Sequence, residues 1–428
     1  MKQRIFTLFI TLTALFVACT KAPVASEDMT PEEPEAPAIE EESPLQVSPI
    51  RLSTPEKSVA LSGNEFGKKV FSCLVEDTGG KDILFSPLSL SLDLAVCASG
   101  ASGNTQTQMY TAMGFADKDP ETIADYYQKM TEALQTADPG VRFTSANSIW
   151  VHHDYTLRDA YVKHAKNRYD AHVQSLDLSV KESLGLINSW CKEKTEGLID
   201  KMLDDSQDPR LPSAAYLLNA IYFQGGWSKA FDEKTQDAVF HSAKGDRMAT
   251  YMQGVEYYGY REKGKVRMVS VNYGGGLYQL VIALPDIGVS TTEALASLEP
   301  NDFFGLPTLD PVTLRIPEFS ISYNAVSESL IPALKKCGIV DAFSGNASFA
   351  GMFTNNLQFL IGNVEQKSFI TVDRKGTEAA AVTMIAICNS TGEAYTPVPR
   401  TLVADRPFLF ALVESSSRTI LFLGQKSL

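Results

Sequence analysis

The strongest constraint on this fold lies near the C-terminus, in residues 376–392, which read GTEAAAVTMIAICNSTG. The segment is apolar enough for a core, yet its surroundings place it in a loop. A patterned strand, 369–373, precedes it, and a Gly/Pro-containing stretch, 392–399, follows. Between Ala379 and Cys388 there is no charge and no proline. A charge buried in a sheet is costly, and proline would delete a ladder hydrogen bond from a central strand. As a strand, the segment puts Thr377, Ala379, Ala381, Thr383, Ile385 and Ile387 on one side, with Glu378, Ala380, Val382, Met384, Ala386 and Cys388 on the other. The first side is small near its start and apolar further on, which suits a packed interior. The pattern describes a segment exposed in one state and buried as a strand in another.

The N-terminal residues stand outside the fold. Lys2 and Arg4 precede an apolar run, 5–17, too short to span a bilayer, ending in Val17-Ala18-Cys19. This reads as a secretory signal over 1–18. Cys19 after a small residue resembles a bacterial lipobox, with Phe16 where leucine is usual, and implies lipidation of Cys19. An ordinary signal peptide with Cys19 incidental is the alternative. Residues 19–56 alternate Pro31, Pro34, Pro37 and Pro44 with acidic residues, and read as a disordered, self-repelling tether. Much of the net charge of −13 sits there, which argues against nucleic-acid binding. The expectation is export across the inner membrane of a bacterium and retention at the outer membrane, facing the periplasm or the cell surface.

Residues 57–428 show no second composition break and read as one domain. With Cys19 set aside, Cys73, Cys97, Cys191, Cys337 and Cys388 are spaced for neither a disulfide framework nor a zinc site. Helical periodicity is found over 58–76, 90–98, 121–135, 158–168, 184–193 and 325–337. Strands are expected over 144–151, 214–223, 257–261, 266–271, 278–284, 313–321, 369–373, 408–414 and 419–424. Helices early and strands late favour α+β over a regularly alternating fold.

Catalytic constellations are missing. The sequence has no G-x-S-x-G, H-E-x-x-H, Walker or G-x-G-x-x-G motif, and Ser189 and Lys192 match S-x-x-K without its partner motifs. His152 and His153 read as an exposed strand end without a carboxylate or cysteine at ligand spacing, so no metal is expected. Neither an enzyme nor a cofactor is expected.

Four ordered blocks carry a resemblance: 85–89 (FSPLS), 218–227 (LNAIYFQGGW), 372–380 (VDRKGTEAA), and 405–410 (DRPFLF) with 421–424 (LFLG). Together they resemble the serpins. The resemblance implies three β-sheets, eight or nine helices and an exposed reactive-centre loop. It also implies irreversible suicide inhibition of serine, or alternatively cysteine, endopeptidases, in which the cleaved loop inserts into the main sheet and traps the acyl-enzyme. A non-inhibitory binding or carrier member is the alternative; a hinge free of disruptive residues argues against it. The hinge maps to Arg374, Gly376, Thr377, Glu378, Ala379, Ala380, Ala381, Val382 and Thr383. The family's hinge-to-bond spacing puts the reactive bond at Ser390-Thr391, flanked by Cys388 and Asn389. A small Ser there points to elastase-like or subtilisin-like targets, with the inhibitor a monomer. Ser86, Ser89, Asn219 and Gln366 match a buried cluster of the family, Gln366 standing where histidine is common. Trp227, Glu318 and Arg374 match the top of the main sheet; Arg374 stands where an acidic residue is usual, so a charge-swapped pair with Glu318 is expected.

Overall fold

Ser53 and Glu56 open the first helix. The Ser53 N–H donates to Glu56 Oε2 at 2.6 Å, and the Glu56 N–H donates back to Ser53 Oγ at 3.4 Å, a reciprocal cap. Helix α1 (Thr54–Thr78) follows and buries Val59, Phe66, Val70 and Leu74 at seven- and four-residue intervals. This is a computed structural model; it describes residues 45–78, 80–195, 197, 201–203, 215–232, 235–242, 244–355, 359–374 and 397–427. Hinge residues 376–383, the bond at Ser390-Thr391 with Cys388 and Asn389, and Cys19 all lie outside the described residues. Residues Glu42–Leu428 form one compact unit.

The tether expected over 19–56 ends earlier than its composition suggests. Ser48 N–H donates to the Ala137 carbonyl at 2.7 Å and Ile50 N–H to Ser416 Oγ at 2.8 Å, and Ile50 and Leu52 are buried. Two apolar side chains and two main-chain bonds anchor this stretch to the folded body.

Strand β1 (Ile83–Phe85) leads into α2 (Pro87–Gly100), which is buried on nearly every side. Then come α3 (Gly103–Ala112), α4 (Pro120–Ala133), β2 (Val141–His152), α5 (Asp159–Tyr169), β3 (Ala171–Leu176) and α6 (Lys181–Lys194). Strands follow almost without interruption: β4 (Ala215–Gly225), β5 (Gln236–Ser242), β6 (Gly245–Glu256), β7 (Gly259–Lys263), β8 (Val266–Tyr273) and β9 (Tyr278–Pro285). After α7 (Thr291–Ser297) come β10 (Val312–Pro317), β11 (Phe319–Ala325), α8 (Ser327–Lys336), β12 (Asn363–Val372), β13 (Arg400–Val403), β14 (Phe408–Glu414) and β15 (Thr419–Lys426).

The fold is α+β, with three sheets and eight α-helices among the described residues. One sheet runs β1-β15-β14-β9-β8-β7, a second β13-β10-β6-β5, and the third β11-β12-β4-β2-β3. Every residue of β14 and β15 is buried, the apolar centres 408–413 and 420–423 together with the polar ends Glu414, Thr419, Gln425 and Lys426. Gly424 of β15 lies under the Phe410 ring, which an added Cβ would meet at 2.1 Å. On the third sheet, the inward residues of β4 join the main core through Leu217, Ile221 and Phe223. Its outward Leu218 and Ala220 pack with Leu184, Ile187 and Cys191 of α6 in a second core.

Two expectations change. The strand read over 313–321 is two strands in different sheets, β10 and β11, because the chain crosses between them at Pro317-Glu318; Pro317 has no N–H to continue a ladder. The strand read over 369–373 is the end of ten-residue β12, whose first half carries Asn363, Glu365, Gln366 and Lys367.

Candidate functional site

Strands β4 and β12 are parallel neighbours in the middle of the five-stranded sheet. Their register runs from Asn363 opposite Tyr216 to Phe369 opposite Tyr222 and stops there. Both strands continue beyond, β4 to Gly225 and β12 to Val372, each still paired on its outer side. The seam therefore opens towards its upper end while the flanking ladders remain closed. A cavity of about 230 Å³ fills the opening, lined among others by Tyr222, Phe369, Thr371, Trp227 and Asp373. The Tyr222 and Phe369 rings stack at the point of divergence, centroids 6.3 Å apart. Burial raises the phenols of Tyr222 and Tyr273, so both lining rings stay neutral.

The peptide group between Asp373 and Arg374, where β12 leaves the sheet, is held from both sides. Trp227 Nε1–H donates to the Asp373 carbonyl at 2.6 Å, and the Arg374 N–H donates to Glu318 Oε1 at 3.2 Å. Trp227 is itself fixed by face-to-face stacking on Tyr273, at 4.1 Å between centroids, and an edge contact with Phe231 at 5.4 Å. Glu318 follows the chain's crossing between sheets, and its own N–H donates to the Thr250 carbonyl at 2.8 Å. The structure brings Trp227, Glu318 and Arg374 together. The contact between Glu318 and Arg374, however, is a charge-assisted bond to the main chain, where sequence reading expected two side chains exchanging charge.

Lower in the seam lies a buried polar row. Gln366 of β12 stands opposite Asn219 of β4, which stands opposite Asn147 of β2. Gln366 Oε1 accepts from the Ser86 N–H at 2.6 Å, and its Nε2–H donates to the Ser86 carbonyl at 3.0 Å. The amide thus clips β12 to the start of α2. Asn219 donates to Asn147 Oδ1, and Ser89 Oγ lies 3.3 Å from Ser145 Oγ. Of the four residues expected together, Ser86 bonds to Gln366 and its Oγ accepts from the Ser89 N–H at 3.4 Å, while the Asn219 side chain and Ser89 Oγ bond to β2. Asn147 and Ser145 were missed; the signal was there, in a polar Thr-Ser-Ala-Asn-Ser run, 144–148, inside a strand. Asn219 Oδ1 and Ser368 Oγ are buried beside the seam without a hydrogen-bond partner among the described residues, a cost carried by the closed sheet.

Beyond residues 375–396, the chain returns through β13, which adds in parallel to β10. Asp310 secures this return: Val398 N–H donates to its Oδ1 and Arg400 Nε–H to its Oδ2, each at 2.9 Å. Arg374 and Val398, on either side of residues 375–396, are thus each bonded to a carboxylate, of Glu318 and Asp310 respectively.

The family model described as serpin (serine protease inhibitor) matches residues 61–427. An uncharacterized serpin-like protein of Methanosarcina acetivorans is 30% identical over 387 residues, covering 87% of each chain. The leukocyte elastase inhibitor of Sus scrofa is 29% identical, covering 87% of this chain and 99% of its own. The crystal structure of the thermophilic serpin tengpin in its native state superposes with a TM-score of 0.76 at 27% identity, covering 89% of this chain and 96% of its own.

Proposed function

We propose, because the chain belongs to the serpin family, that it is a suicide-substrate inhibitor of serine endopeptidases, with cysteine endopeptidases as a second class. The observation that carries this reading is the seam between β4 and β12, opened above Tyr222 and Phe369 and continuous with the chain that leaves β12 at Arg374. A strand folding back from Arg374 would run antiparallel to both neighbours, replacing one parallel pairing by two antiparallel ones, which are somewhat more stable per residue. Residues 377–387 have the composition for it: small, uncharged after Glu378 and free of proline. Attack of the protease on the loop forms an acyl-enzyme. The ester forms at the Ser390 carbonyl as the Thr391 amine leaves, so insertion of the freed strand would drag the protease bonded to its end away from that amine and distort it before water completes hydrolysis.

Ser390-Thr391 is the bond we assign to attack, a small residue before the cut favouring elastase-like or subtilisin-like enzymes; the porcine relative's name points the same way. We assign Cys19 as a lipid anchor at the outer membrane, for which a Cys19→Ser variant should lose incorporation of labelled fatty acid. The inhibitory reading is tested by incubating the purified protein with pancreatic elastase, subtilisin and trypsin. A covalent complex surviving denaturing electrophoresis, with the released peptide beginning at Thr391, is the expected result. Cleavage with neither a complex nor a gain in heat stability would instead establish a non-inhibitory member.

A further inference from the structure

His152 and His153 are not a bare strand end. Strands β2 and β3 run parallel, with His152 opposite Leu176, and His153 N–H donates to the Leu176 carbonyl at 2.8 Å. That register brings the next residue, Asp177, alongside the histidine pair, while Asp154 follows it in the chain. The two imidazoles stack, with centroids 4.5 Å apart. On one side of the stack, Asp154 Oδ2 is 3.4 Å from His152 Nδ1 and Asp154 Oδ1 is 3.5 Å from His153 Nε2. One ligand atom from each of these three residues lies within 4.8 Å of the other two. On the opposite side, Asp177 Oδ1 faces the other nitrogen of each ring, His152 Nε2 at 3.8 Å and His153 Nδ1 at 3.7 Å.

We propose that His152 Nδ1, His153 Nε2 and a carboxylate oxygen of Asp154 form a binding site for a divalent transition metal of the zinc type. Two imidazoles with one carboxylate suit zinc and its neighbours, whereas calcium and magnesium prefer all-oxygen sets. Tetrahedral coordination with bonds of about 2.0–2.2 Å separates ligand atoms by about 3.3–3.6 Å; each nitrogen already stands at that separation from one of the two Asp154 oxygens, His152 Nδ1 from Oδ2 and His153 Nε2 from Oδ1, and a small turn of the carboxylate would offer one oxygen to both. His152 Nδ1 accepts a hydrogen bond from the Asp154 N–H at 3.3 Å, so this nitrogen carries the lone pair a metal needs, and the ring proton belongs on Nε2, towards Asp177. The metal takes the place of that long bond. Metal-bound histidines normally give their second N–H to a carboxylate, which fixes ring and tautomer; Asp177 occupies that position for both rings. Asp177 is in turn held in the turn before α6, where its Oδ1 accepts from the Ser179 N–H at 3.0 Å and its carbonyl from Ser183 Oγ at 2.7 Å. An occupied site would join the end of β2 to the turn from which α6 starts.

The site is independent of the inhibitory reading, and its test reads metal binding alone. Chelator-treated full-length protein is titrated with Co²⁺, followed by its visible absorption, and with Zn²⁺, followed by calorimetry. One equivalent should bind; His153→Ala and Asp154→Asn should each weaken binding tenfold or more, and Asp177→Asn severalfold at unchanged stoichiometry. Zn²⁺ should raise the thermal midpoint of the wild type and leave that of His153→Ala unmoved. His153 is half exposed, so its loss empties no core. Absence of saturable binding by the wild type would overturn the proposal. So would wild-type affinity in both His153→Ala and Asp154→Asn, because the metal would then bind elsewhere.

Discussion

Trp227 and Glu318 act on one peptide group, and this is where single side chains matter most. Trp227→Phe keeps a ring to stack on Tyr273 but removes the indole N–H from the Asp373 carbonyl, a part-buried hydrogen bond worth about 0.5–1.5 kcal/mol. The variant should lose its native state faster on warming, measured as a lower thermal midpoint and earlier polymer on native gels; a midpoint equal to wild type would remove the peptide clamp from the account. The neighbourhood of these residues was legible in the sequence, through the blocks that carry Trp227 and Arg374. Their bonds were not, because a main-chain N–H or carbonyl is the same in every residue and no side-chain pattern encodes which one a carboxylate will choose. Asp93 makes a different point. It is fully buried in α2, one oxygen lacks a partner among the described residues, and burial raises its carboxyl well above the usual range. Above an unfolded pKa of about 3.9 the unfolded chain releases a proton that the folded protein keeps, so stability falls as pH rises from there towards the folded pKa. Asp93→Asn, neutral throughout, should match the wild type near pH 4 and exceed it at pH 7.5 in thermal midpoint. An identical difference at both pH values would show that ionisation is not the cause.

Among the elements, α2 and β13 set the limits on the seam. Gln366 ties β12 to the main chain at the start of α2, so the sheet can part there only by breaking two buried bonds. β13 is four residues long and lies at the edge of its sheet, secured by Asp310 through Val398 and Arg400. On the proposed inhibitory reading, insertion of an uncut loop would require β13 to peel from β10. Asp310→Ala should therefore raise the rate at which intact protein becomes inert without cleavage, severalfold or more, while the heat stability of the cleaved form stays unchanged. Activity lost at the wild-type rate would show that the resistance lies elsewhere. Strong periodicity made the main helices and the buried strands readable, including β4 and the two closing strands. β3, an AHVQSL edge strand, escaped because its alternation is weak and its outer residues face solvent. The long alternating pattern of β10 and β11 hid a change of sheet, since a period of two states which face is buried and not in which sheet.

For the whole molecule, the closed sheet carries costs that an added strand can relieve. Asn219 Oδ1 and Ser368 Oγ are buried beside the seam without a hydrogen-bond partner among the described residues, and the upper residues of β4 and β12 lack each other as ladder partners. On the proposed inhibitory reading, such unmet demands would leave the folded chain above a better-bonded arrangement with a strand added. The α+β class could be read from helices early and strands late, whereas the two-state reading of residues 376–392, argued from composition and alternation, falls outside the described residues. The place where that segment would be received could not be read in this way, because it is defined by two strands about 145 residues apart in the chain.

The parallel pairing of β4 with β12 has a last consequence, for competition. An opening between parallel neighbours reads the direction of an entrant more strictly than its identity: small side chains and the right polarity suffice. On the proposed reading the cleaved chain's own segment, attached through β12, would enter at an effective concentration on the order of millimolar, whereas before cleavage it would leave the seam to a competitor. A free peptide of sequence TEAAAVTMIAI should therefore be able to occupy the seam of the uncut protein. It should then produce a heat-resistant protein that proteases cleave without being trapped, whereas the reversed sequence, IAIMTVAAAET, should leave both properties as they were.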